Sequence, residues 1–96
     1  MIMEVKQSDN GKKGSFYIEI DDIKSAEMTY THAGPDKIII DHTEVSDALK
    51  GQGVGYRLID AAIAYIRAND LKVIPLCPFA NAFFKKRAQE YTDILG

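Results

Sequence analysis

The chain has 96 residues, of which 46% are hydrophobic and 27% charged, and its formal net charge is −2. These values fit one globular domain over 1–96 and argue against a nucleic-acid partner held by bulk electrostatics. One cysteine excludes an internal disulfide and suits the reducing cytoplasm, and two separate histidines with one cysteine predict no metal site. The N-terminus lacks a basic and then apolar leader, and the longest apolar run, 61–66, is too short to span a membrane.

The N-terminal half predicts an antiparallel β meander. Apolar and polar side chains alternate in four segments, which are 2–7, 16–20, 26–32 and 37–45. Residues typical of turns separate them, most clearly Gly34-Pro35. Strands joined by such short turns pair with antiparallel neighbours.

The C-terminal half predicts a helix, a strand and a second helix. Apolar residues at helical spacing indicate a helix over about 53–69, and a short apolar run at 71–76 indicates a strand. A second helix is expected over about 79–89. The strand–helix–strand order predicts a right-handed crossover, with the strands at 37–45 and 71–76 parallel. Because Pro75 cannot donate a backbone hydrogen bond, we expect this pair to splay there.

The segment Lys-Gly-Gln-Gly-Val-Gly at 50–55 joins the strongest predicted strand to the first helix. The first N–H groups of a helix have no partner within it, and the helix dipole adds positive charge, so this loop predicts a phosphate or diphosphate site. A Rossmann loop would need a third glycine where the chain has Leu58, and a Walker loop would need Gly-Lys-Ser/Thr. A tight helix start that binds no ligand remains an alternative.

These elements together resemble the GNAT superfamily of acyl-CoA-dependent N-acetyltransferases. The glycine loop matches the family pattern of Arg or Gln, two residues, Gly, one residue, and Gly or Ala, with Lys50 in the first position. The segment Pro-Leu-Cys-Pro-Phe at 75–79, with Glu90-Tyr91 after it, is similar to a short single-domain group within the superfamily. The resemblance covers about 37–92. It implies an α+β GNAT-like fold, reduced because only a turn occupies 8–15, where the family usually has a helix pair.

The resemblance implies acetyl-CoA as the co-substrate. Its diphosphate would lie on the glycine loop, and its pantetheine arm would bond to backbone near Val45 between the splayed strands. Asn81 is implied either to bond the pantetheine or to cap the second helix. Phe84 stands where many members have a tyrosine that protonates the CoA thiolate. The residues expected to bind CoA are Val45, Lys50, Gly51, Gln52, Gly53, Val54, Gly55, Tyr56, Asn81 and Phe84.

Three residues are candidates for the chemistry of acetyl transfer: Glu44, His42 and Cys77. Glu44 and His42 are two apart in a strand, so they share a face and either could deprotonate an amine. Cys77 follows the other splayed strand and is either a covalent carrier in a ping-pong route or a small buried side chain. Since Phe84 has no proton to donate, Cys77, His42 or water would supply the acid.

The sequence therefore predicts an acetyl-CoA-dependent N-acetyltransferase, a monomer or weak dimer. Without the helix pair its acceptor groove should be open, which favours a protein lysine or N-terminus as the amine. Two other functions stay open. One is a CoA-binding module or partner subunit without catalysis, favoured by Phe84 and the missing helices. The other is an interaction domain that binds no nucleotide.

Overall fold

The computed structural model describes residues 4–96. Five strands form one sheet in chain order: β1 (Lys6–Asp9), β2 (Lys13–Ile20), β3 (Ile23–His32), β4 (Lys37–Val45) and β5 (Lys72–Pro75). Strands β1 to β4 are antiparallel, and β5 is parallel to β4. The predicted α+β arrangement of a meander followed by a parallel crossover is confirmed. Residues 1–3 lie outside the described residues. They include the start of the predicted first strand and most of the N-terminal segment in which no leader was expected.

Two helices follow β4 and β5 respectively, α1 (Val54–Ala68) and α2 (Pro78–Lys86). Short 3-10 turns at Asp47–Leu49 and Ala88–Glu90 flank them. Helix α2 is shorter than predicted because Arg87 leaves helical geometry, and the chain then folds back so that Tyr91 packs on Phe84. In the described chain a turn alone joins β1 to β2, as expected of a reduced fold. Neither helix is long and apolar enough to cross a membrane.

The core lies between the two helices and one face of the sheet. The buried face of α1 contributes Val54, Leu58, Ile59, Ala62, Ile63 and Ile66. These side chains meet buried residues of the sheet, among them Met28, Ile38 and Ile40. The opposite face of the sheet, called the outer face below, has no helix over it in residues 4–96.

A polar cluster closes the core at the end of the sheet that carries the β1–β2 turn. The Oδ2 atom of Asp9 accepts a hydrogen bond from the Tyr30 hydroxyl at 2.6 Å and lies 2.8 Å from His32 Nε2. The Tyr65 hydroxyl of α1 donates to the same oxygen at 3.5 Å. The hydrogen bond from Tyr30, together with those from Gly11 and His32, lowers the pKa of Asp9 to about 2. One ionised carboxylate therefore ties β1, β3 and α1 together.

Candidate active site

Strands β4 and β5 separate at Pro75, where the separation was predicted. Their register runs from Lys37 opposite Lys72 to Ile40 opposite Pro75, and β5 ends there. The backbone N–H groups of Leu76 and Cys77 both donate to the Ile40 carbonyl at 3.1 Å, which turns the chain out of the sheet. Beyond Ile40, β4 continues to Val45 with no β5 residue beside it. This open edge offers backbone hydrogen-bonding groups to a ligand.

A β-bulge in β4 decides which side chains face which groove. Tyr30 pairs with Ile40, but Thr29 pairs with His42, so Asp41 is an extra residue. Paired residues lie on the same face of a sheet. His42 and Glu44 therefore lie on the outer face, while Thr43 and Val45 lie on the helix face.

The glycine loop presents an uncapped helix start. Gly51 and Gly53 have φ of +81° and +72°, a left-handed conformation that glycine adopts without strain. Gly53 is the N-cap of α1 and makes no side-chain capping bond, and the first turn carries no acidic side chain. The first backbone N–H of α1 that has a backbone acceptor here is that of Arg57, which donates to the Gly53 carbonyl at 3.3 Å. The N–H groups of 54–56 are therefore available to an anion.

Gly55 has a different role, because it lets α2 approach α1. A Cβ atom built on Gly55 would stand 2.7 Å from Cζ of Phe79. The Phe79 ring also packs edge-on against Tyr56, with centroids 5.8 Å apart. Gly55 thus fixes the distance between the two helix N-termini.

A groove of about 420 Å³ lies beside this loop and the open edge of β4. Seven of the ten residues predicted to bind CoA line it: Val45, Lys50, Gly51, Gly53, Val54, Gly55 and Tyr56. Thr43, Leu49 and Phe79 also line it and were not predicted. The Pro-Leu-Cys-Pro-Phe segment was a signal that could have identified Phe79. Lys50 is paired with Asp47 at 2.9 Å, and this hydrogen bond lowers the pKa of Asp47.

The other three predicted CoA residues lie outside the described lining of this groove. The Gln52 amide donates to the Ala48 carbonyl at 3.1 Å. Asn81 lies in the first turn of α2 and donates from its side chain to the Pro75 carbonyl at 3.3 Å, while Cys77 is the N-cap. Phe84 is 2% exposed and packs edge-on against Phe83 and Tyr91 in the core.

A second groove, of about 510 Å³, lies at the same end of β4. It shares Thr43, Val45 and Lys50 with the first groove and adds Glu44 and Glu27. These two carboxylates are directly opposite each other on β4 and β3. Glu27 could not be identified from the sequence, because its pairing with Glu44 depends on the register of two strands.

The three predicted catalytic residues lie on two sides of β4. His42 Nε2 is 3.0 Å from Glu44 Oε1, and both side chains are exposed on the outer face. Cys77 is 3% exposed, and its Sγ donates to Thr43 Oγ1 at 3.2 Å. Thr43 therefore stands between the buried thiol and both grooves.

Comparison with known proteins agrees with this architecture. The model of the GCN5-related N-acetyltransferase family matches residues 15–94. The NMR structure of a GCN5-like protein from Staphylococcus aureus is 40% identical and covers 98% of this chain and 88% of that one, with a TM-score of 0.76. The structure of AAC(6')-Iy in complex with the bisubstrate analogue CoA-S-monomethyl-acetylneamine shares the fold, with 13% identity over 84% of this chain and 61% of that one and a TM-score of 0.58.

Among curated proteins, Protein NATD1 of Xenopus tropicalis is 31% identical over 61 residues. The match spans 64% of this chain and 56% of that protein, so the chain covers about half of this relative's length. The family model, by contrast, covers most of the chain. The chain belongs to the GCN5-related N-acetyltransferase superfamily.

Proposed function

We propose that the chain transfers an acetyl group from acetyl-CoA to an amine. The observation that carries this proposal is the meeting of two grooves at the open end of β4, where Thr43, Val45 and Lys50 line both. One groove has the features of a site for a nucleotide diphosphate. The other holds carboxylates that suit a protonated amine.

The residues of the first groove fit the CoA moiety. The uncapped N–H groups of 54–56 and the absence of an acidic side chain in that helical turn suit a diphosphate. Beyond Ile40 the unpaired edge of β4 can take backbone hydrogen bonds from the amides of a pantetheine arm. Acetyl-CoA, when bound, supplies an activated thioester. The chain itself supplies position and proton transfer.

Glu44 and His42 are the groups proposed to accept the proton of the amine. Their hydrogen bond of 3.0 Å lets one orient the other, and Glu44 lines the second groove. Proton removal is required because an ammonium group is not nucleophilic. Glu27, opposite Glu44, is already paired with Lys24, whose Nζ lies 3.0 Å from Glu27 Oε2, so Glu44 is the carboxylate proposed to meet the cationic acceptor.

The outer face beside this groove has no covering helix in residues 4–96, so the groove is open along the sheet. An open groove admits a side chain or terminus of a peptide as readily as a small amine. We therefore propose a protein or peptide amine as the acceptor.

A CoA-binding module without catalysis is the second candidate. It is favoured by Phe84, which is buried in the core and carries no hydroxyl to protonate a leaving thiolate. The two candidates differ in turnover. Release of free CoA from acetyl-CoA in the presence of amines and peptides supports the enzyme, whereas CoA binding with no release supports the module.

Titration with CoA, followed by backbone NMR, tests both candidates together. The amide signals of Gly51, Gly53 and Gly55 should shift as CoA is added. If these signals do not move at millimolar CoA, both candidates are wrong and an interaction domain is the better proposal.

A further inference from the structure

A small cleft of about 110 Å³ extends the glycine-loop groove toward the end of α2. Tyr56 and Phe79 line both the groove and the cleft. Lys86 and Arg87 line the cleft as well. Two cations thus lie next to the helix turn whose amides are proposed to hold a diphosphate.

Aromatic rings hold Arg87 at this cleft. Its Cζ atom lies 4.4 Å from the centroid of the Phe83 ring and 5.9 Å from that of Tyr56. Its Nη1 donates to the Phe83 carbonyl at 3.4 Å, which leaves most of the guanidinium donors unused. A guanidinium stacked on a ring keeps its edge available, and that edge matches the oxygens of a phosphate.

No carboxylate of residues 4–96 forms an ion pair with Arg87. Ion pairs within residues 4–96 involve four lysine or arginine side chains, which are Lys6, Lys24, Lys50 and Arg67. Lys85, Lys86 and Arg87 are absent from this set. Lys86 and Arg87 line the cleft without a described carboxylate partner, which indicates that a ligand supplies the negative charge.

We infer that Arg87, assisted by Lys86, binds the 3′-phosphate of CoA, so that the chain distinguishes CoA from dephospho-CoA. The inference rests on the proposed function, because it presumes a diphosphate at the first turn of α1. In CoA a single ribose separates the diphosphate from this phosphate monoester. Tyr56 is in the matching position, since its N–H belongs to the first turn of α1 and the residue, 49% exposed, lines the cleft.

The test is calorimetric titration of the chain with CoA and with dephospho-CoA, at low and at high salt. The wild-type chain should bind CoA about tenfold more tightly, with the preference reduced at high salt. Arg87→Gln should remove most of this preference while changing the affinity for dephospho-CoA less than about twofold. Lys85→Gln is the matched control, because it removes the same charge from an exposed neighbour that does not line the described cleft, and it should keep the preference.

The possible results separate this inference from the function on which it rests. Equal wild-type affinity for the two ligands would overturn the inference and leave the proposed function standing. An equal loss of both affinities in Arg87→Gln would show that Arg87 acts through packing on Phe83, which also overturns the inference. No binding of either ligand by the wild-type chain would overturn the proposed function together with it.

Discussion

Phe79 lies against the α-carbon of Gly55, so closely that a methyl group there would stand 2.7 Å from the ring. Gly55 lies within α1 and Phe79 within α2, and this contact sets how near the two helix starts approach. One contact therefore positions both the glycine loop and Phe79, which line the same groove.

Gly55→Ala should destabilise the chain. Alanine gains about 1 kcal/mol of helix propensity over glycine, but overpacking against Phe79 costs about 1–3 kcal/mol. We expect the overpacking to prevail, and urea unfolding would measure it. In a Phe79→Leu background the same change should be neutral or stabilising. A Gly55→Ala chain that is more stable with Phe79 in place would contradict the steric role.

Gly53→Asp should reduce CoA binding without a matching loss of stability. Aspartate and asparagine have the same shape and tolerate positive φ better than most residues, so both variants should fold similarly. Only aspartate places a negative charge at the helix start, and repulsion of a diphosphate should weaken CoA at least about tenfold relative to Gly53→Asn. Calorimetry with CoA, alongside thermal unfolding, compares the two variants. Equal affinities would argue against a diphosphate at this turn.

Glu44→Gln should lower kcat for acetyl transfer by about 10²- to 10⁴-fold, because the amine would lose its proton acceptor. The change keeps the size of the side chain, and CoA affinity should not move. Glu90→Gln is a suitable control, since it removes the same charge from an exposed residue away from both grooves. Full activity in Glu44→Gln would exclude this carboxylate as the base and direct attention to His42.

Cys77→Ser and Cys77→Ala distinguish direct transfer from a ping-pong route. The thiol is buried and donates to Thr43, an arrangement that positions a side chain and does not expose a nucleophile. We therefore expect less than about a tenfold loss of activity in both variants, with serine retaining more because it keeps the hydrogen bond. Loss of all activity, together with an acetyl group found on Cys77 by mass spectrometry, would establish the covalent route.

Asp9→Asn should destabilise the chain at neutral pH by about 1–2 kcal/mol, less than the full pKa shift implies because the carboxylate is partly exposed. Its folded-state pKa, about 2, lies below the ordinary aspartate pKa of 3.8. Its ionised form therefore stabilises the fold above pH 3.8, and this contribution is lost as the pH falls toward 2. Urea unfolding at pH 7 and near pH 2 should show wild type and Asp9→Asn converging at low pH. A difference that stays constant with pH would assign the effect to shape instead of charge.

The sequence was sufficient for those parts of the fold that depend on local patterns. Alternation placed His42 and Glu44 on one face, and helical spacing located α1 to within a residue at each end. Pro75 located the separation of β4 and β5, because a missing donor acts at its own position. The glycine loop was likewise visible as a local signal.

Features that depend on partners distant in the chain could not be predicted in this way. The contact that requires Gly55 is made by Phe79, 24 positions later, and the burial of Phe84 depends on Tyr91 folding back over it. The proximity of Glu27 to Glu44 depends on strand register. Asn81 was expected to cap α2 or reach a ligand, yet it bonds to the end of β5 because the chain turns sharply at Leu76 and Cys77.

The β-bulge at Asp41 decides which face of the sheet each later residue of β4 lies on. If β4 kept Asp41 but ran without the bulge, Asp41 would pair with Thr29, so Glu44 would be turned inward toward α1 and Thr43 outward to water. Deletion of Asp41 would remove the bulge and keep the present pairs, whereas a single insertion or deletion between 42 and 45 would invert the side chains that follow it. Length variation between 42 and 45 should therefore be tolerated only in even steps.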